Sequence, residues 1–242
     1  IMETKKIDWQ IVLLVCSLII IMIMGVRQSL GLFLDPISSF MGNGKEFFSF
    51  AIGVQAIIWG VLTFLLGILI DKFGPQKVLA FGIVAFASGI FLMSNPNSDF
   101  KLFSATTLMG FGLGGAGMAT MVSVVGKVAP INKRSFAMGL VAAAASFGQF
   151  AVIVPTMWMN KEFGWQTSLV VLASITISLL MLLPLLNTTN VAGTKKEEFK
   201  TTLKQTLIFS LKEKNYLLLI SGFFVCGFHV TFIALHLPAD LV

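Results

Sequence analysis

The sequence predicts an all-α membrane protein with seven transmembrane helices, and three observations carry that expectation. Of 242 residues, 56% are hydrophobic and 12% are charged, about half the charged fraction of a soluble domain. The chain holds 22 glycines, 23 phenylalanines and 12 methionines, and glycine is commoner in membrane helices than in soluble ones. Seven apolar runs, 10–34, 47–70, 77–94, 102–128, 135–159, 166–186 and 216–237, reach the ~20 residues that a helix needs to cross a hydrocarbon core.

The first span is apolar from Ile11 to Met24 and then carries Arg27, Gln28 and Ser29 before Leu30-Gly31-Leu32-Phe33-Leu34. An arginine keeps its proton in a protein. Holding it in a span costs ~2.5–3.5 kcal/mol on insertion scales, so such a charge normally faces a bundle interior or a wet cavity. Sixteen residues separate Ile11 from Arg27. At ~1.5 Å each they climb ~24 Å of a ~30 Å core. Arg27 is therefore expected in the outer part of the membrane. It either lines a cavity there or snorkels to the outer headgroups.

The second span carries Gln55 and, four residues on, Trp59. The third and sixth have no charge in their interiors and read as outer, lipid-facing supports. The fourth is rich in glycine, with Gly110, Gly112, Gly114, Gly115 and Gly117. Small residues let membrane helices approach closely, and the same glycines would also let a helix slide or bend. Thr120, Ser123 and Gln149 are further polar residues within spans. A lone intramembrane glutamine is more often an interhelical hydrogen-bond partner than a ligand.

The connections 35–46, 71–76, 95–101, 129–134 and 160–165 are short, so successive helices are expected to be antiparallel neighbours. The sixth connection, 187–215, is long and polar. Within it Phe199, Leu203, Leu207 and Leu211 recur every four residues among lysines, the pattern of an amphipathic helix on a membrane surface. A solvated charged linker is the other reading.

Charge sets the orientation. With the N-terminus in the cytoplasm, thirteen of the seventeen basic residues fall in inside segments and three, Lys45, Lys101 and Lys161, outside; Arg27 is the remaining one. Such asymmetry is the positive-inside rule. It accounts for the net charge of +6 without nucleic acid. No short apolar stretch with a small-residue cleavage site opens the chain, so the first run is expected to be a retained span in a cell (inner) membrane. Cys16 and Cys226 lie inside apolar runs and read as packing residues. The start at Ile1-Met2 and the end at Asp240-Leu241-Val242, just past an apolar run, suggest a fragment.

Two stretches carry a resemblance. Gly67-Ile68-Leu69-Ile70-Asp71-Lys72-Phe73-Gly74-Pro75-Gln76-Lys77 resembles the loop between the second and third helices of the major facilitator superfamily. Gly67, Asp71, Lys72, Gly74 and Lys77 match its pattern, and Pro75-Gln76 stands where arginines are common. Locally, Gly67 would let two helices come close and Gly74 would permit a tight turn. The stretch Lys133-Arg134-Ser135-Phe136-Ala137-Met138-Gly139, followed by small residues to Gly148-Gln149, is similar to the fifth-helix signature of the monocarboxylate and oxalate/formate branch. Ser135 replaces its third basic residue, and Ala145 or Ser146 one of its glycines. Phe163-Gly164-Trp165, Gly227-Phe228-His229 and His236-Leu237-Pro238 are also usual there.

The resemblance implies a six-helix N-terminal half of the major facilitator fold, 1–186, a cytoplasmic linker, 187–215, and the first helix of a second half, 216–242. Family members have two pseudo-symmetric halves. In this sequence Gly25 to Pro36 sets against Gly227 to Pro238 at a constant offset of 202, which places Arg27 on His229. Most other pairs are generic apolar matches, so chance competes with a true repeat.

The function the resemblance implies is secondary transport of a small organic anion by alternating access, with the loop 67–77 latching one state. Arg27, His229, Gln149 and Gln55 are the candidate substrate residues. No Asp or Glu lies within the spans, so proton coupling within this chain would fall to His229. No catalytic constellation, metal-ligand spacing or phosphate-binding Gly-x-x-x-x-Gly-Lys loop is present; neither an enzyme nor a cofactor or metal is expected, and a full-length protein would act as a monomer. The alternative class is a seven-helix receptor or photosensor. A retinal protein would need a lysine within its last helix, and none lies between Tyr216 and Pro238.

Overall fold

A computed structural model describes residues 9–42, 44–186 and 212–240, without the side chains of residues 68, 71, 72 and 234–240. The described residues contain no β-strand. Seven helical spans are long and apolar enough to cross a membrane: Trp9–Met41, Lys45–Gly67, Pro75–Met93, Asp99–Val128, Ile131–Phe163, Trp165–Leu185 and Lys214–Ile233. The proposed surface helix 199–211 lies outside the described residues.

The first span is built from α1 (Trp9–Gln28), a 3-10 turn (Ser29–Phe33) and α2 (Leu34–Met41). It runs seven residues past the expected end at residue 34. The 3-10 turn has a local cause. Pro36 has no N–H to give Leu32, and its ring crowds that carbonyl, so the chain tightens before the proline and then resumes α-helix. Gly42, at φ 68°, ends α2. The connection to α3 (Lys45–Phe73) is therefore shorter than expected. There Lys45 Nζ meets Asp35 Oδ1 at 2.7 Å, an exposed pair.

Gly74 alone joins α3 to α4 (Pro75–Met93). Its φ is +84° and its N–H closes α3 on the Ile70 carbonyl at 3.0 Å. That left-handed backbone favours glycine, and Pro75 behind it takes the first helical position, where a missing N–H costs nothing. Gln76, in the slot where the resembling family prefers a basic residue, reaches across the fold. Its Nε2 donates to the carbonyls of Leu183 and Leu186 at the end of the sixth span.

The fourth span is broken. α5 (Asp99–Ala116), capped by the Ser98 hydroxyl on the Lys101 N–H, stops at Gly117, and α6 (Met118–Val128) starts afresh. Gly117 is extended, at φ −82° and ψ −172°. The Thr120 hydroxyl donates to the Gly114 carbonyl at 3.3 Å, a group that the break deprives of its helical partner. A backbone group left unpaired at this depth would cost several kcal/mol. The fifth span is α7 (Arg134–Phe163), and Gly164 at φ +80° turns it into α8 (Trp165–Ser178), which finishes in 3-10 form at Leu179–Leu185.

Close helix crossings hold the six-helix body together. A Cβ on Gly25 would fall 2.6 Å from Val152 Cβ, and one on Gly148 would fall 2.6 Å from Ile21 Cα, so α1 and α7 cross nearly backbone to backbone. The α5 glycines serve two neighbours: Gly112 and Gly115 abut Phe86 and Gly82 of α4, whereas Gly110 and Gly114 abut Ile58 and Leu62 of α3. Around these crossings α1 is deeply enclosed, with Ile19, Ile20 and Ile23 inaccessible.

The third span does not behave as a peripheral support. It buries residues along most of its length against α5, α8 and the end of the sixth span. The exposed spans are the second, fifth and seventh, with 22%, 28% and 0% of their apolar windows covered, against 67% for the fourth. α9 (Lys214–Asp240) touches the body along residues 29–33 and α2, and its residues 214–230 are exposed.

Candidate functional site

Arg27 is the last-turn cation of α1. It is half-buried, on a turn fixed on both sides: Gly25 is locked into the α7 crossing, and the Ser29 hydroxyl donates back to the Gly25 carbonyl at 3.0 Å. Its guanidinium carbon sits 4.8 Å from the centre of the Trp59 ring. Among the described residues it makes no ion pair with a carboxylate. A guanidinium over an indole face gains ~0.5–2 kcal/mol, more as water is excluded. A guanidinium held against a ring by its face keeps its edge N–H groups available to an acceptor.

Trp59 belongs to α3 and is half-buried against the core. Its Nε1 lies 3.2 Å from the point where a Cβ on Gly117 would be, so the break in the fourth span gives the indole its room. One turn toward the N-terminal end of α3, Gln55 is 2% exposed and its Nε2 has no hydrogen-bond partner among the described residues. Gln28 Oε1, next to Arg27, is likewise buried without a partner. Buried polar atoms are normally satisfied. Gln28 follows Arg27 in the chain and Gln55 lies one helical turn from Trp59, so each brings an unpaired polar atom to the neighbourhood of one member of the pair.

The other sequence candidates lie apart. Gln149 is half-buried on α7, directly after the Gly148 crossing. His229 is exposed on α9, with Nδ1 3.2 Å from the Val225 carbonyl of its own helix. No hydrogen bond, ion pair or ring contact joins it to Arg27 among the described residues. The aligned segments 29–33 and 231–235 also differ locally, the first being 3-10 and the second continuous α-helix.

In the 67–77 loop, Asp71 and Lys72 occupy the last turn of α3, Gly74 makes the turn and Lys77 is exposed on the first turn of α4. Nothing among the described residues comes within 4 Å of a Cβ on Gly67. At the start of α7, Lys133 and Arg134 are exposed, and Lys133 Nζ stands 5.6 Å over the Trp9 ring. Gly139 is open and Gly148 is closed by α1. Among the described residues no group of His, Cys, Asp and Glu could hold a metal ion.

By sequence alone Trp59 is marked only by its place four residues after Gln55, and Gly117 only as one of five glycines in the fourth span. The Gln55–Trp59 spacing was the available signal, but pairing Trp59 with Arg27 needs the packing of α1 against α3, which no local pattern encodes.

Seven spans long and apolar enough to cross a membrane, two of them opening from the tight turns at Gly74 and Gly164, define a multi-pass membrane protein. The sequence profile of the Major Facilitator Superfamily matches residues 14–240, and the chain belongs to that family. Among curated proteins it is 26% identical over 179 residues to an agnestins efflux protein of Paecilomyces divaricatus, covering 73% of this chain and 38% of that one. It is 24% identical over 219 residues to an uncharacterized MFS-type transporter of Bacillus subtilis, covering 87% and 52%. It is 31% identical over 114 residues to a "Probable 4-methylmuconolactone transporter" of Cupriavidus pinatubonensis, covering 46% and 25%. The chain thus spans about half or less of the length of these relatives.

Proposed function

We propose that this chain forms the six-helix half, with the first helix of the second half, of a secondary active transporter for a small organic anion of the monocarboxylate type. The observation that carries the reading is the guanidinium of Arg27, held within a span on the Trp59 ring at 4.8 Å and without a carboxylate partner among the described residues. A fixed cation in a membrane is costly, and a planar carboxylate repays that cost through two parallel charge-assisted hydrogen bonds. Gln55 and Gln149 contribute neutral polar contacts, and His229 contributes from the seventh helix. Relatives named as transporters support the transport reading.

In this reading the body 1–186 rocks against the second half around the site, the linker 187–215 joins them on the cytoplasmic side, and the loop 67–77 steadies one of the two states. The N-terminus is cytoplasmic, the membrane is the cell (inner) membrane, His229 supplies any proton coupling, and the full-length protein works as a monomer without cofactor or metal. Uptake of labelled acetate, lactate, pyruvate and oxalate into vesicles bearing the full-length protein, with and without an acidic outer pH, tests the reading. Uptake of at least one carboxylate above empty vesicles is expected. Uptake of none, with a neutral or cationic solute carried instead, would contradict it.

A further inference from the structure

We propose that Trp59 is the positioning residue of the Arg27 site, and that the break in the fourth span at Gly117 exists to seat its indole. The inference rests on the reading of Arg27 as the anion-binding charge and adds what fixes that charge in place.

An arginine near the end of a span can bend its long stem toward the headgroups, and a free stem would present its fork in many orientations. A carboxylate needs the fork in one plane. The indole 4.8 Å from the guanidinium carbon restricts that motion. Stacking occupies the cation's face, whereas a carboxylate takes its edge, so Trp59 holds Arg27 without competing for the N–H donors. Any hydrogen-bonding anchor, a glutamate for example, would take those donors itself. Trp59 in turn stands where it does because Gly117 has no side chain: a Cβ there would meet both the Leu113 carbonyl and, at 3.2 Å, Trp59 Nε1. The extended backbone at Gly117 is open to any residue by its φ, so the requirement is one of space. The Thr120 hydroxyl on the Gly114 carbonyl makes the break tolerable within a span.

The test reads the guanidinium directly. Phenylglyoxal modifies arginine, and peptide mass spectrometry separates Arg27 from Arg134, which is exposed at the start of α7 and serves as the reference within the same molecule. In the full-length protein, Trp59→Leu is expected to speed modification of Arg27 relative to Arg134 by about two- to thirty-fold, the range a cation–π contact implies. Trp59→Phe, which keeps a ring, should fall between Trp59→Leu and the parent. Gly117→Ala should move Arg27 in the same direction as Trp59→Leu. An unchanged Arg27:Arg134 ratio in Trp59→Leu overturns the positioning role, and an unchanged ratio in Gly117→Ala overturns the seating role. A Trp59→Phe protein no different from Trp59→Leu would also count against a ring contact. A misfolded variant would change the Arg134 rate as well, and the Phe variant then decides. Failure of the anion reading is separate: oxalate would then give the parent protein's Arg27 no protection, whatever the Trp59 variants do.

Discussion

The guanidinium carbon of Arg27, on the first span, lies 4.8 Å from the centre of the Trp59 ring, on the second. The contact joins the enclosed helix α1 to one of the most exposed helices of the body, α3. Any anion at the edge of that guanidinium would therefore bind between an element fixed by the α7 crossing and one whose far face is bare.

The crossing of α1 and α7 should be the least forgiving contact near the site. Gly148→Ala puts a methyl group 2.6 Å from Ile21 Cα, against backbone that cannot swing aside. Overpacking of this kind costs about 1–3 kcal/mol. Gly139→Ala, on the same helix but with nothing within 4 Å of its Cβ, should change stability by less. Thermal unfolding of the purified variants in one detergent checks the contrast; equal losses would mean that the crossing is looser than it stands here.

Gln76 ties the start of α4 to the last carbonyls of the sixth span. Gln76→Ala removes both bonds, and at ~0.5–1.5 kcal/mol each the end of that span should open more often. Hydrogen exchange at residues 183–186 is expected to quicken, while exchange in α5 stays unchanged. Unaltered exchange at 183–186 would show that the tie is dispensable.

Gly74 is held at φ +84° between two helices with no other linking residue. With ψ at 154° this is backbone that essentially only glycine adopts, and alanine there is unfavourable by ~1–3 kcal/mol. If the loop steadies one transport state, Gly74→Ala should lower the uptake rate with little change in half-saturation. A raised half-saturation at an unchanged maximal rate would assign the loop to binding instead.

Much of this fold is legible in the sequence because bilayer physics is local. Twenty apolar residues make a span whatever surrounds them, and Arg27 announces itself as a charge where charges are expensive. The turn at Gly74 could be expected from its glycine alone. The apolar run ends at Leu34, but the helix continues past Asp35 and Pro36 by tightening to 3-10 form over Ser29–Phe33. The glycines of the fourth span were visible as packing residues, yet their division between α3 and α4 follows from which neighbour each faces. Trp59 under Arg27, Gln76 on the sixth span and the bareness of His229 all depend on contacts between distant segments. The offset of 202 sets Arg27 against His229 as equivalent positions, whereas the contact of Arg27 with Trp59 follows from packing between spans.

Uptake by Arg27 variants tests the central claim most directly. Full-length protein carrying Arg27→Gln or Arg27→Lys is compared with the parent for the labelled carboxylate it takes up best, with membrane insertion measured in parallel. Removing one partner of a desolvated charge pair costs ~2–5 kcal/mol, so Arg27→Gln should lower uptake by thirty-fold or more at unchanged insertion. Arg27→Lys, which keeps the charge but loses the fork, should retain part of it. Parental uptake kinetics in a fully inserted Arg27→Gln protein would contradict the account.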